Sequence, residues 1–154
     1  WAVNITGAFL CAREAAGRMR TDTGGRGGSI VNVSSKAAVL GGSEEWVHYA
    51  ASKGALATVT KTLAMELGPK GIRVNGIHPG YIYGDSVEWY FNHLADKRGI
   101  TFQEVYDEVA SETCLGYLPH SEEIAGTAVF FASPLAKPVT GQMIGVNAGH
   151  WFNG

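Results

Sequence analysis

Tyr49 and Lys53 stand at the two ends of the run Tyr49-Ala50-Ala51-Ser52-Lys53, which opens a helix-patterned stretch reaching Leu67. Their spacing is about one helical turn, so phenol and ammonium project from one face with their ends within reach of each other. A phenol in water titrates near about 10, and a neighbouring positive charge favours the phenolate. Use as an acid–base at neutral pH needs a displacement of roughly 3 units, or about 4 kcal/mol, part of which such an ammonium supplies. The same spacing also describes an amphipathic helix with a surface lysine. The elements around the pair decide between the two.

Residues 1–20 carry a stripe of apolar and small side chains (Val3, Ile5, Ala8, Phe9, Ala12, Ala15, Ala16, Met19) that predicts a helix. Asn4 lies inside it, and on local grounds alone it reads as a solvent-facing polar residue. A Gly-rich loop at 23–28 leads to an apolar, β-branched strand at 29–33, which runs into Ser34-Ser35. A loop over 36–47 precedes the Tyr49 helix, and Gly68-Pro69 reads as its C-cap and stop. A second strand at 72–77 ends abruptly at His78-Pro79-Gly80. Helices follow at 86–98 and at 101–111, the latter opened by a capping box of Thr101 and Glu104, and another at 122–132. Residues 142–146 form the last strand. Strands separated by helices predict a doubly wound α/β architecture: a parallel sheet with helices on both faces. Ligands in such sheets sit beyond the carboxyl ends of the strands. Chain position therefore gathers Ser35, Tyr49, Lys53 and the Pro79-Gly80 turn at one crevice.

Composition excludes several other classes. A length of 154 residues suits one domain, and a formal charge of −2 without any basic block predicts no affinity for nucleic acid. No apolar run approaches the roughly 20 residues of a membrane span, and no signal peptide is visible. Cys11 and Cys114 are far apart and read as reduced, semi-buried thiols of a cytoplasmic protein. The 5 histidines include no close pair at ligand spacing, so no metal is expected. Glycine, at 21 of 154 residues, is about double the usual 7% and signals tight turns and close backbone approach. The chain opens on Trp1 within a helical pattern, which suggests a piece of something longer.

In order along the chain, VNITG, GGSIVNVSS, YAASK, LAMELGPKGIRVNGIHPG, EEIAGTAVFFAS and TGQMIGVNAG resemble the motifs of the short-chain dehydrogenase/reductase family, from Trp1 to about Gly149. The resemblance implies the second half of a Rossmann-type fold, with residues 1–154 forming the C-terminal part of a single domain and a mobile substrate lid at about 85–118. It implies an NAD(P)-dependent oxidoreductase that interconverts a secondary alcohol and a ketone, with NAD or NADP as cofactor and no metal. It carries the catalytic roles to Asn4, Ser35, Tyr49 and Lys53. In the family this Asn holds a water through its backbone carbonyl and bends its helix, which replaces the local reading of Asn4. Cofactor contacts fall by the same resemblance to Val33, Ser34, Tyr49, Lys53, Pro79, Gly80 and Ile82. The interval from Ser35 to Tyr49 is one residue longer than the family pattern, so Ser34 is a second candidate for the serine role. Ser35 is preferred, because the loop over 36–47 absorbs an extra residue easily.

Departures from the pattern are informative. The family's glycine-rich phosphate loop, and the position that selects NAD over NADP, belong upstream of Trp1. Gly84 stands where the family usually has a Thr that touches the nicotinamide amide, leaving that contact to backbone groups, Asp85 or Ser86. Asn147-Ala148-Gly149 replaces a common Asp-Gly-Gly and reads as structural. Trp89, Tyr90 and Phe91 in the lid, with Tyr81, Tyr83 and Trp46, predict a small-molecule alcohol or ketone that is apolar or cyclic. The same cluster reads equally well as core packing. His48 reads as a structural or surface residue. Small-faced helices at 1–20 and 49–67 imply, by resemblance, a four-helix bundle with a symmetry mate and hence a homodimer or homotetramer. Two alternatives remain open: a non-catalytic nucleotide-binding or subunit homologue, against which the four catalytic matches argue, and an inactive fragment. Alone, residues 1–154 are expected to bind NAD(H) or NADP(H) weakly and to aggregate through an open sheet edge.

Overall fold

The computed structural model describes residues 1–42 and 46–152. Three parallel strands, β1 (Gly28–Val33), β2 (Ile72–Pro79) and β3 (Met143–Val146), lie side by side in that order. Helices connect them as parallel pairing requires. The helix α1 (Ala8–Met19) precedes β1, the short α2 (Ala37–Leu40) and long α3 (Val47–Leu67) join β1 to β2, and α4 (Asp85–Arg98), α5 (Phe102–Ser111) and α6 (Ser121–Ala132) lie between β2 and β3. The predicted α/β architecture is present. None of the described helices is long and apolar enough to cross a membrane.

Strand periodicity sorts the core into two layers. Successive side chains point to opposite faces of a sheet. Ile72 and Val74 on β2 and Ile30 on β1 pack with Ala16, Ala64 and Leu67 of α1 and α3. Ile77 and Val31, of opposite parity, pack with Ile124 and Phe131 of α6. Phe131 and Ile72 are fully enclosed, each side chain contributing roughly 1.5–3 kcal/mol by burial. A third cluster, around Phe91, Ala95, Val105 and Leu118, holds the segment of α4 and α5 together as a unit with its own core.

The element boundaries differ from the sequence expectation where local geometry overrides pattern. The helix expected over 1–20 is a π-helix at Ala2–Gly7 continued by α1. Val3, Ile5 and Thr6 are β-branched and poor α formers, and the wider turn falls at Asn4. The loop expected over 36–47 contains α2, while its residues 43–45 lie outside the described residues. Gly68 is not a left-handed C-cap: its φ is −53°, Pro69 continues a tight 3-10 turn, and the chain reverses at Gly71, whose φ is +77°. Proline's fixed φ suits that turn, and only the residue after it needs glycine's freedom. The strand expected to stop at Ile77 runs to Pro79, which pairs with Val146. Proline ends no ladder here, because its carbonyl accepts from the Lys36 N–H at 2.9 Å. Cys11 and Cys114 are free thiols and exposed, not semi-buried. The capping box at Thr101 and Glu104 is formed as expected.

Asn75, fully buried on β2, fastens the approach to β3. Its Nδ2 donates to Val139 O at 2.9 Å and its Oδ1 accepts from Gln142 N at 3.0 Å. Asn75→Ala strands both backbone groups, and chemical denaturation of the full-length protein should show a loss of about 2–4 kcal/mol.

Candidate active site

Strand ends bring the predicted residues together. The ladder continues past the strand ends, since beyond β1 Ser34 N donates to Ile77 O at 2.9 Å and beyond β2 Gly80 N donates to Val146 O at 3.2 Å. Gly80 passes so close to Asn147 that a Cβ built on it would lie 2.8 Å from Asn147 Cβ, so a side chain there is disfavoured. The first turns of α3 lie over this edge. Ser34 Oγ donates to Lys53 O at 2.8 Å, and Lys53 Nζ donates to Val33 O at 2.9 Å. Lys53 Nζ also lies 5.8 Å from the centroid of the Tyr49 ring, while Trp46 meets that ring edge-on at 5.4 Å. Burial lowers the Lys53 pKa from the usual lysine value.

The two serines are now distinguishable. Ser34 is buried and its hydroxyl proton is spent on the α3 backbone. Ser35 is half-buried, and its Oγ accepts from Ala37 N at 3.2 Å, which leaves its own proton for another acceptor. Asn4 does not face solvent. Its Nδ2 donates to Ser52 Oγ at 3.0 Å, and Ser52 Oγ donates to Tyr49 O at 2.7 Å, tying the π-helix to the turn that carries Tyr49.

Other positions are placed differently from the expectation. The Ile82 side chain packs into the β2–α6 core, so a contact from it to a ligand falls to its backbone. Phe91 is enclosed in the core of α4 and α5, and Trp89 is 70% exposed, stacked on His93. Tyr83 packs on Tyr106 and His120. For Phe91 and Tyr83 the core-packing alternative holds, whereas Trp89 lies on the surface. Gly84 caps α4, its carbonyl accepting from Val87 N and Glu88 N at 2.9 Å each, with Asp85 and Ser86 exposed beside it. His48 is exposed.

Three residues escaped the sequence reading. Ser52 sits within the Tyr49–Lys53 run itself, which was its only signal. His78, buried, holds the backbone of Ser35: Nδ1 lies 2.9 Å from Ser35 O, and since a carbonyl only accepts, the proton is on Nδ1. Burial, with Lys61 adding a little, lowers the His78 pKa, against the pull of the Ser35 carbonyl. Lys36 follows Ser35 and turns its amine toward Tyr81 and His150.

Comparison with known proteins agrees with this architecture. A family model described as Enoyl-(Acyl carrier protein) reductase matches residues 1–150. The chain is 42% identical to "Uncharacterized oxidoreductase YgfF" of Escherichia coli over 95% of this chain and 55% of that protein. It is 35% identical to an L-rhamnose 1-dehydrogenase (NAD(P)(+)) of Azotobacter vinelandii over 97% of this chain and 54% of that protein. Among solved structures, L-sorbose reductase from Gluconobacter frateurii, complexed with NADPH and L-sorbose, superposes with a TM-score of 0.85 at 30% identity, covering 96% of this chain and 55% of that one. Sorbitol-6-phosphate 2-dehydrogenase from Erwinia amylovora gives a TM-score of 0.87 at 30% identity, covering 98% of this chain and 58% of that one. The chain belongs to the short-chain dehydrogenase/reductase family of oxidoreductases, and its fold is Rossmann-type. It spans about half the length of the curated relatives it matches.

His78 yields a stability prediction with a definite sign. Its pKa is lowered in the folded protein, so as pH falls below about 6.5 the unfolded chain takes up a proton that the native state refuses, and stability declines. His78→Asn keeps an N–H toward Ser35 O and should remove this part of the acid slope in urea midpoints. His78→Leu should remove it too, but at a cost of about 1–3 kcal/mol for the stranded carbonyl.

Proposed function

We propose that this chain carries the acid–base machinery and the nicotinamide side of an NAD(P)-dependent enzyme that interconverts a secondary alcohol and a ketone. The reciprocal pair between Lys53 and the end of β1 is the observation that carries the reading, because it holds a half-buried ammonium beside the Tyr49 ring. The relatives named for rhamnose and sorbose support a small-molecule alcohol substrate.

The residues fit the cofactor's chemistry. Lys53 keeps N–H donors beyond the one given to Val33 O, a set suited to the paired hydroxyls of a ribose. The Val33 side chain, 51% exposed at the carboxyl end of β1, offers an apolar surface, and the Pro79-Gly80 turn lies across from it. Val33, Ser34, Tyr49, Lys53, Pro79, Gly80 and the Ile82 backbone would hold NAD or NADP, with Ser34 acting through its backbone. When bound, the nicotinamide accepts the hydride in oxidation and supplies it in reduction.

Tyr49 takes the hydroxyl proton of the alcohol as general base and returns it to the ketone oxygen as general acid. Ser35, its Oγ–H unspent, donates to that oxygen as charge develops on it. Lys53, its Nζ 5.8 Å from the Tyr49 ring centroid, sets its charge beside the phenol and toward the cofactor. Asn4, fixed through Ser52 to the Tyr49 turn, orders the water that exchanges the proton with solvent. The segment at about 85–118 covers the crevice as a lid on its own core.

In the full-length protein Tyr49→Phe should lower turnover by at least the roughly 100-fold typical of general acid–base catalysis. Lys53→Met should weaken cofactor binding, read by calorimetry with NAD or NADP. Near-normal turnover of Tyr49→Phe overturns the mechanism.

The enzyme is further read as a cytoplasmic homodimer or homotetramer. A groove between α1 and α3, lined by Phe9, Ala12, Ala16, Leu63 and Leu67 together with Arg13, Arg20, Glu66 and Lys70, supports this, as do the exposed Phe9 and Met65. Light scattering on the full-length protein should give a dimeric or tetrameric mass, and a monomer at working concentration rules the assembly out.

A further inference from the structure

Lys36 leaves the chain one residue after Ser35, and consecutive Cα atoms are only about 3.8 Å apart. Its backbone is fixed, since Lys36 N donates to Pro79 O at 2.9 Å. Its Nζ lies 3.9 Å from the centroid of the Tyr81 ring and 3.3 Å from His150 Nδ1, and the Tyr81 and His150 rings stack at 5.8 Å with 22° between their planes. On its far side His150 Nε2 lies 3.1 Å from Glu112 Oε2. An ammonium only donates, so His150 accepts at Nδ1 and carries its proton on Nε2, which it gives to Glu112. The loop after β1, the turn after β2, the end of α5 and the chain after β3 thus meet at one amine.

The imidazole stands between the ammonium and the carboxylate, and Lys36 has no other hydrogen-bond acceptor among the described residues. Of three N–H donors, one goes to His150, one side of the amine faces the Tyr81 ring, and a donor remains. The amine is half-buried, and burial lowers its pKa while Glu112 raises it. Formal charges in the cluster sum to zero, with Lys36 positive, Glu112 negative and His150 neutral in this tautomer. Such a group suits an uncharged oxygen better than a phosphate. The lid aromatics do not make this part of the crevice apolar, because Phe91 is enclosed and Trp89 is 70% exposed on the lid surface.

We propose that Lys36 is a specificity-determining residue that donates from Nζ to a second oxygen on the substrate, next to the reacting carbon. The site then takes polyhydroxylated alcohols such as sugars and polyols in preference to hydrocarbon alcohols. This inference rests on the dehydrogenase reading and replaces the expectation of an apolar substrate.

A matched pair of probes tests it in the full-length protein with NAD or NADP: trans-1,2-cyclohexanediol and cyclohexanol, which differ by one hydroxyl, with sorbitol as an open-chain polyol. The wild-type protein should prefer the two polyols by kcat/KM. Lys36→Met should lower kcat/KM for the diol roughly 10–100-fold, mainly through KM, as expected for one charge-assisted hydrogen bond. The loss for cyclohexanol should be at least tenfold smaller. Calorimetric binding of the diol to the cofactor-saturated protein should weaken in parallel, and Lys36→Arg, which keeps donors, should recover part of it. Equal losses on diol and cyclohexanol, or a wild-type preference for cyclohexanol, overturns the inference and leaves the dehydrogenase reading standing. No wild-type turnover of either polyol also overturns the inference, whereas the dehydrogenase reading falls only with near-normal turnover of Tyr49→Phe.

Discussion

The reciprocal bond between the end of β1 and the first turns of α3 is the constraint on which the site depends. Ser34 gives its hydroxyl proton to the Lys53 carbonyl, and Lys53 gives an ammonium proton to the Val33 carbonyl. Two side chains thereby fasten two backbones at a single level. Further down, Asn32 Nδ2 donates to Thr60 Oγ1 at 2.9 Å, and Thr60 Oγ1 donates to Leu56 O at 2.9 Å. Asn32 and Ser34 share one face of the strand, and Lys53 and Thr60 lie about two helical turns apart on one face of the helix. The two periodicities mesh at these contacts, and neither strand nor helix can slide without breaking both. Tyr49, one turn before Lys53, inherits its position from that lock.

Polar groups make this lock because apolar packing alone specifies register loosely. Burying a hydroxyl or an amide without a partner costs roughly 1–3 kcal/mol on protein scales, so each unpaired alternative register is penalised. Ser34, Ser52, Thr60, Asn32 and His78 are all buried, and each has its partner. They concentrate along the β1–β2 side of α3, whereas the opposite face of the sheet is closed by Ile77, Ile124 and Phe131. One face of the sheet is built mainly to be stable, and the other also to hold atoms in place.

Much of this was legible in the sequence. The strands were read to within two residues, because β-branched runs bounded by glycine and proline leave few alternatives. The Thr101–Glu104 box is a local interaction and was read outright. Ser35 is preferred over Ser34 in the sequence because the loop after it absorbs an extra residue, and the structure adds only that Ser34 spends its hydroxyl proton on Lys53 O while Ser35 Oγ accepts from Ala37 N. What the sequence withheld depends on contacts between distant segments. His78 and Ser35 are 43 residues apart, and Lys36 and His150 are 114 apart, so no local pattern announces either pair. Aromatic side chains were ambiguous for a similar reason. Whether Phe91 faces a crevice or a core is set by where α5 packs, and α5 packs over it.

The division of labour between elements follows from these distances. Tyr49 and Lys53 are positioned by β1, α3 and the π-helix at Ala2–Gly7, through bonds that involve neither α4 and α5 nor the chain after β3. Lys36, by contrast, is held by residues from both: Glu112 at the end of α5 acts on it through His150, and Tyr81 touches the lid through Phe91. Substitution in α4, α5 or the chain after β3 therefore alters what surrounds the amine beside Ser35 without breaking the bonds that hold Tyr49 and Lys53. The reverse does not hold, since a shift of β1 would carry Ser35 and Lys36 together. A fold with this wiring lets the surroundings of Lys36 vary while Tyr49 and Lys53 stay fixed, and the asymmetry comes from which backbone each side chain is bonded to.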